Sequence, residues 1–237
     1  MVKRVKLMPI FEAKNIVKIY QETKKGTKQN VVLQNISFSI KEKEFVIITG
    51  PSGSGKTTLL YLLSKLEVPT SGEVYFENKN LNTFTKQDER AFRQDLTGFV
   101  FQSYELIPTL TVFDNVALPL IIKGAKVNPD HIFNVLKLVG IEKQARSFPD
   151  QLSGGEKQRV AIARSIVHEP KVVFADEPTG NLDKQKAAEI MELFKRINVE
   201  NGTTIILVTH NLSHLSYGTR VIELSNAHII RDEILHG

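Results

Sequence analysis

Residues 50–58 read Gly50-Pro51-Ser52-Gly53-Ser54-Gly55-Lys56-Thr57-Thr58 and satisfy the pattern GxxxxGK[ST]. A segment of this kind demands a buried strand that ends in the loop and a helix that begins at its last residues. Both are written around it: Phe45-Val46-Ile47-Ile48 precedes the loop, and Leu59, Leu60, Leu62 and Leu63 follow it. A flexible Gly-Ser linker would have neither flank. The glycines let consecutive backbone N–H groups turn inward around phosphate oxygens, and the following helix adds its positive N-terminal end. Lys56 supplies a mobile cation for the terminal phosphates, and the Thr57 hydroxyl is a candidate Mg²⁺ ligand.

The rest of the composition bounds the class. With 237 residues, 41% hydrophobic and 24% charged, the chain is expected to form one domain with a subdomain. Its apolar runs, such as residues 116–122 with Pro119 inside, fall far below the roughly 18 residues of a membrane span. The basic start, residues 1–10, lacks the apolar core and cleavage site of a signal peptide. Zero cysteines exclude disulfides and thiolate metal sites, which suits a cytoplasmic protein. The net charge of +5 is spread among acids, as in Lys41-Glu42-Lys43-Glu44, so solubility explains it and no nucleic-acid partner is expected.

Periodicity orders the chain. The first forty residues alternate apolar and polar, as at Ile36, Phe38 and Ile40, and predict antiparallel strands around a loop at residues 21–30. Residues 86–168 read as mostly helical: residues 112–122, residues 130–139 with Ile132, Val135, Leu136 and Val139, and a helix after Gly155. Strands and helices then alternate. Residues 171–176 and 204–209 read as strands, and residues 184–198 as a helix with Ala187, Ile190, Met191, Phe194 and Ile197 on one face. Such continuous apolar strands predict a sheet buried on both faces.

A phosphate loop alone does not choose among kinases, GTPases, helicases and transport ATPases. The run Val172-Val173-Phe174-Ala175 delivers Asp176 and Glu177 to a strand's C-terminal end, where ligands bind in open α/β sheets. Asp176 suits the Mg²⁺ shell, and Glu177 suits a base that polarises water. A third element, Leu152-Ser153-Gly154-Gly155-Glu156-Lys157-Gln158-Arg159, opens a helix. Ser153 with Glu156 is a capping box. Two glycines in the first turn oppose helix propensity, and close backbone approach to an anion explains them.

Together these segments resemble the ABC ATPase family over nearly the whole chain, with Ser153, Gly154 and Gly155 in its signature motif and Asp176 ending its Walker B strand. The resemblance implies an α/β fold: a P-loop RecA-like core, an N-terminal antiparallel β subdomain and an inserted helical subdomain. It implies a single ABC ATPase domain over residues 1–237, with residues 86–168 as the Q-loop and signature subdomain and residues 1–85 and 169–237 as the rest. It further implies ATP and Mg²⁺ as cofactors, Gln102 as the Q-loop glutamine near the metal, and His210 as a switch histidine at the γ-phosphate. Asn181-Leu182-Asp183 looks like the D-loop, and Tyr20 sits where the family stacks an aromatic on adenine. The other histidines, His131, His168, His214, His228 and His236, lack metal-ligand spacing and read as surface residues.

In this family the signature of one subunit closes on ATP held by the phosphate loop of another, so the partner implied is a second copy or a related subunit. A separate integral membrane permease is also implied, docking near residues 102–112, which would place the chain on the inner face of the cell membrane. Gly98-Phe99-Val100-Phe101-Gln102, Asn115-Val116-Ala117-Leu118-Pro119-Leu120 and residues 175–183 resemble the branch of macrolide-efflux, lipoprotein-releasing, peptide-resistance and cell-division ATPases. Where the family has a glycine-containing hairpin near the C-terminus, this chain has Ser225-Asn226-Ala227-His228, and Asn226 is expected to supply a positive φ. A soluble ATPase of DNA repair or translation is the alternative, but no sustained heptads separate Lys56 from Ser153. A small-molecule kinase would leave the signature and His210 unexplained.

Overall fold

The computed structural model describes residues 9–21 and 29–235; residues 1–8, residues 22–28, on which most of the expected loop at 21–30 falls, and residues 236–237, His236 among them, lie outside the described residues. In chain order the strands are β1 (Pro9–Gln21), β2 (Gln29–Lys41), β3 (Phe45–Thr49), β4 (Ser71–Phe76), β5 (Lys79–Asn80), β6 (Thr97–Val100), β7 (Val172–Asp176), β8 (Thr204–Val208), β9 (Arg220–Ser225) and β10 (His228–Ile234). The helices are α1 (Lys56–Leu63), α2 (Lys86–Ala91), α3 (Val112–Lys123), α4 (Pro129–Val139), α5 (Gly154–Ile166) and α6 (Lys184–Asn201).

The strands form an antiparallel sheet in the order β2-β1-β4-β5 and a six-stranded sheet in the order β10-β9-β3-β8-β7-β6. In the larger sheet β9, β3, β8, β7 and β6 run parallel, and only β10 is antiparallel. Its strands are continuous apolar runs because successive side chains serve opposite faces, and both faces are covered. Phe45, Ile47, Val173, Ala175, Ile205 and Leu207 point into a core shared with α3, α4, α5 and α6. Val46, Ile48, Val172, Phe174, Ile206 and Val208 point into a second core against α1 and the antiparallel sheet. An aromatic chain crosses that second core, with Phe11 5.8 Å from Phe174 and 5.1 Å from Phe76. The expected α/β architecture is therefore present.

Strand β6 departs from the expectation that residues 86–168 are mostly helical. It is only four residues long, too short for a periodic signal, and Gly98 within it weakens strand propensity. The glycine answers to packing: a Cβ there would lie 2.0 Å from the Ser165 carbonyl oxygen, so α5 can cross β6 this closely only over glycine.

The anticipated hairpin turn between β9 and β10 forms, with both Asn226 (φ 47°) and Ala227 (φ 66°) left-handed. Its Ala227 carbonyl accepts from the Gln34 N–H at 2.8 Å and so ties the turn to β2.

Candidate active site

The parallel register brings separate segments together. Ile48 stands beside Val208, and Val208 beside Asp176, so β3, β8 and β7 end in one row. The next residues are tied across that edge: the Thr209 N–H donates to the Ile48 carbonyl at 3.1 Å and the Glu177 N–H to the Val208 carbonyl at 3.0 Å. The phosphate loop, the acidic pair and His210 thus share the C-terminal edge of the sheet. Gln102 follows β6, the next parallel strand, whose Val100 stands beside Ala175.

The loop is built around glycines with positive φ: Gly50 at 143°, Gly53 at 77° and Gly55 at 95°. Gly55 lies directly before α1, and a Cβ on Gly50 would come within 2.1 Å of the Leu224 carbonyl oxygen. Lys56 is buried, its ammonium donating to the Pro51 carbonyl at 2.9 Å. The Ser54 hydroxyl is buried without a hydrogen-bond partner among the described residues, which leaves a donor for a phosphate oxygen.

Behind the loop, Thr57 donates to Asp176 at 3.0 Å. Tyr61, one helical turn further along α1, presents its hydroxyl toward this carboxylate. Burial pushes the Asp176 carboxyl above the usual carboxylate range, and neighbouring Glu177 adds to this; the hydroxyls of Thr57 and Tyr61 and the charge of Lys56 pull it back. Burial, reinforced by Asp176, raises the Tyr61 hydroxyl in turn. A desolvated carboxylate beside a threonine hydroxyl suits Mg²⁺, which takes one or two protein oxygens and otherwise phosphate and water. Among the described residues no cluster of His, Cys, Asp and Glu would hold a metal by itself.

Glu177 adopts φ 47°, in the left-handed region, and its carbonyl accepts from the Gly180 N–H at 3.0 Å. The carboxylate meets His210, whose Nδ1 is 2.9 Å from Oε1 and 2.8 Å from Oε2. The His210 side chain remains 67% exposed, so the pair opens outward beside the phosphate loop. Gln102 has its amide against Gly180, 2.7 Å from where a Cβ would stand, and its carbonyl accepts from Asn181 Nδ2 at 3.1 Å. Asp183 accepts from the Lys186 N–H at 2.9 Å and thereby caps α6.

Tyr20, at the end of β1, donates to Glu67 at 2.6 Å, with the Thr58 hydroxyl close to its own. The aromatic ring is therefore fixed beside the phosphate loop, with Lys18 4.9 Å from its centroid. Burial pushes its hydroxyl up, and Glu67 adds to the effect.

Ser153, Gly154 and Gly155 stand apart from this cluster. They open α5, which packs chiefly on α3, α4, α6 and β6 rather than on α1. The capping box is formed: the Ser153 hydroxyl donates to Glu156 at 2.7 Å and the Ser153 N–H does so at 2.8 Å. These bonds hold the Glu156 carboxyl below the usual carboxylate range. A Cβ on Gly155 would lie 3.2 Å from the Lys186 side chain, so the second glycine also serves packing inside the chain.

The structure corrects the surface reading of three histidines. His214 is only 3% exposed, while the half-buried His131 and His168 bond the carbonyls of Val167 and Thr97 at 2.7 and 3.0 Å. Residues behind the site were also missed. Asn115, 0% exposed, accepts from the Ile107 N–H at 2.8 Å and points its amide at the carbonyls of Ile107, Leu110 and Thr111. Arg164 donates to the carbonyls of Tyr104 and Glu105 at 2.8 and 2.5 Å. Buried Asn among apolar helix residues was the signal for the first; nothing in sequence spacing announced the second.

Residues 33–180 match the model of a family described as ABC transporter. An uncharacterized ABC transporter ATP-binding protein of Methanocaldococcus jannaschii, MJ1508, is 42% identical over 223 residues, covering 93% of this chain and 98% of that protein. Its counterpart MJ0796 from the same organism is 42% identical over 234 residues, 96% of this chain and 98% of that one. The dimeric structure of MJ0796 superposes with a TM-score of 0.86 at 40% identity, covering 96% of this chain and 99% of that one. A dimeric post-hydrolysis state of MJ0796 bound to ADP and Pi gives the same TM-score at 41% identity over the same shares. CbiO1 of Clostridium perfringens, part of the transporter complex cbiONQ, gives 0.82 at 31% identity over 95% of this chain and 88% of that one.

Proposed function

The chain belongs to the ABC transporter ATP-binding family, and we propose that it hydrolyses ATP as one half of a head-to-tail dimer that drives a separate membrane permease. The observation that carries this reading is the Glu177–His210 contact at 2.9 Å, placed on the same strand edge as Lys56, Thr57 and Asp176. Residues 50–58 bind the phosphates, and Tyr20 offers its ring to the adenine. Thr57, Asp176 and Gln102 would hold Mg²⁺, which neutralises phosphate charge. Glu177 takes the proton of the attacking water, while His210 orients that carboxylate and reaches toward the γ-phosphate.

Ser153, Gly154 and Gly155 serve the phosphate loop of the partner subunit, with Asp183 alongside. Support for this reading comes from the placement of α5 away from α1 in the same chain, and from the dimeric MJ0796 structures. The Ser153 hydroxyl then leaves Glu156 for a phosphate oxygen. Hydrolysis removes that contact and lets the dimer reopen.

The family's motifs support assigning the membrane work to a separate permease, with this chain peripheral on its cytoplasmic face; no helix among the described residues is long and apolar enough to cross a membrane. The permease is proposed to dock on residues 102–112. Beside this loop lies a groove of about 370 Å³ that includes Phe99, Phe101, Glu105, Leu118 and Ile122. Asn115 and Arg164 brace the loop from behind, which suits a surface that must transmit force. The permease class is proposed to be the export or force-transmission type, on the motif resemblance at residues 98–102, 115–120 and 175–183.

Glu177→Gln tests the mechanism. It is expected to bind ATP as the wild type does and to lose hydrolysis by roughly a hundredfold or more. A Glu177→Gln protein with wild-type turnover would remove Glu177 from the role of base. For docking, Ile107→Glu is expected to abolish co-purification with the permease while leaving ATP affinity intact; retained co-purification would place the interface elsewhere.

A further inference from the structure

The loop after β8 carries a set of contacts that the hydrolytic scheme leaves unused. His210 is flanked by Thr209 and Asn211, and the side chains of both meet one buried imidazole. His214 Nδ1 lies 3.3 Å from Thr209 Oγ1, and its Nε2 lies 3.2 Å from Asn211 Nδ2. The orientation of Asn211 is fixed independently, because its Oδ1 accepts from the Ser213 backbone N–H at 3.0 Å and from the Ser213 hydroxyl at 2.8 Å. A backbone N–H only donates, so the oxygen belongs there and the amino group faces His214. Nε2 is therefore the unprotonated acceptor, and Nδ1–H donates to Thr209. The Thr209 hydroxyl oxygen also accepts from the Asn211 N–H at 3.0 Å, which closes the ring of contacts around the His210 backbone.

Burial lowers the His214 pKa and so favours the neutral ring; Glu177 opposes the shift and His210 reinforces it. Protonation at Nε2 would set two donors face to face at Asn211. A buried histidine that merely filled space would not need both ring nitrogens placed on the two neighbours of the same exposed residue.

We infer that His214 is a positioning residue for hydrolysis, holding Thr209 and Asn211 so that the His210 ring stays against the Glu177 carboxylate. The inference rests on the reading of Glu177 and His210 as the hydrolytic pair. Steady-state ATPase kinetics test it with His214→Leu, His214→Gln and Asn211→Ala, each made also in a His210→Ala background. His214→Leu is expected to lower kcat about tenfold, the scale of one or two lost hydrogen bonds, with KM and Kd for ATP unchanged because no phosphate-loop contact is touched. Gln keeps a donor and an acceptor, so His214→Gln recovers most of kcat. Asn211→Ala, at an exposed position where the core is undisturbed, lowers kcat severalfold even if the Leu variant does not fold. In the His210→Ala background none of these changes adds a further loss, since residues acting through one group are not additive. A wild-type kcat in Asn211→Ala or in folded His214→Leu, or a full further loss without His210, would overturn the inference while leaving the ATPase reading intact. A wild-type chain without ATPase activity would overturn both.

Discussion

Left-handed backbone at single residues separates function from tolerance. Glu177 at φ 47° carries a conformation that costs a residue with a side chain about 1–2 kcal/mol, and the return is visible: its carboxylate meets His210 and its carbonyl caps the turn through Gly180. Ala227 at φ 66° bears a similar cost, while its tie to Gln34 runs through the backbone carbonyl and does not depend on the methyl group. Ala227→Gly is therefore expected to stabilise the chain by about 1 kcal/mol, which raises Tm by roughly 2–4 °C. Thermal unfolding checks this, and an unchanged or lower Tm would mean that the turn carries no strain. The departure at residues 225–228 thus leaves the hairpin geometry intact at a local energetic cost. Sequence reasoning reached Asn226 because asparagine favours this region, and it passed over Ala227 because alanine does not.

Among the elements, α3 and the loop before it depend on Asn115, a buried amide that satisfies backbone groups of residues 107–111. Asn115→Ala leaves the Ile107 N–H and several carbonyls without partners, and is expected to cost roughly 2–4 kcal/mol. Hydrogen exchange should speed selectively across residues 106–111; uniform loosening of the whole chain would contradict a local brace. Strands β3, β7 and β8 and helices α4, α5 and α6 were legible in the sequence because each is long enough to show continuous burial or a helical stripe, and that placed the candidate residues at the ends of β3, β7 and β8 on one sheet edge. Strand β6 was not, since four residues set between a π turn at Phe92–Leu96 and the Q-loop carry no period. Nor were the braces at Asn115, Arg164 and His214, whose partners are chosen by the fold. The glycine pair at 154 and 155 was legible as unusual, yet part of its cause lies inside the chain, in room for Tyr104 and Lys186.

On the scale of the whole molecule, burial depresses the pKa of both His168 and His214. The unfolded chain then binds more protons than the folded one below the ordinary histidine value of about 6.5, so stability falls as pH drops through that value and is retained above it. Melts at pH 7.5 and 5.5 should show a lower Tm in acid, and His168→Gln with His214→Gln together should flatten the dependence; an equal slope in the double variant would assign the acid lability to other groups. The larger claim is that the phosphate loop of one chain is half of a site. Lys56, Thr57 and Asp176 gather at one strand edge while Ser153 to Gly155 open a helix packed elsewhere, so a single chain can hold ATP without covering it. Sedimentation of Glu177→Gln with and without ATP and Mg²⁺ tests this most directly. A monomer without nucleotide and a stable dimer holding two ATP with it are expected; a chain that stays monomeric with ATP bound would rule out the shared site.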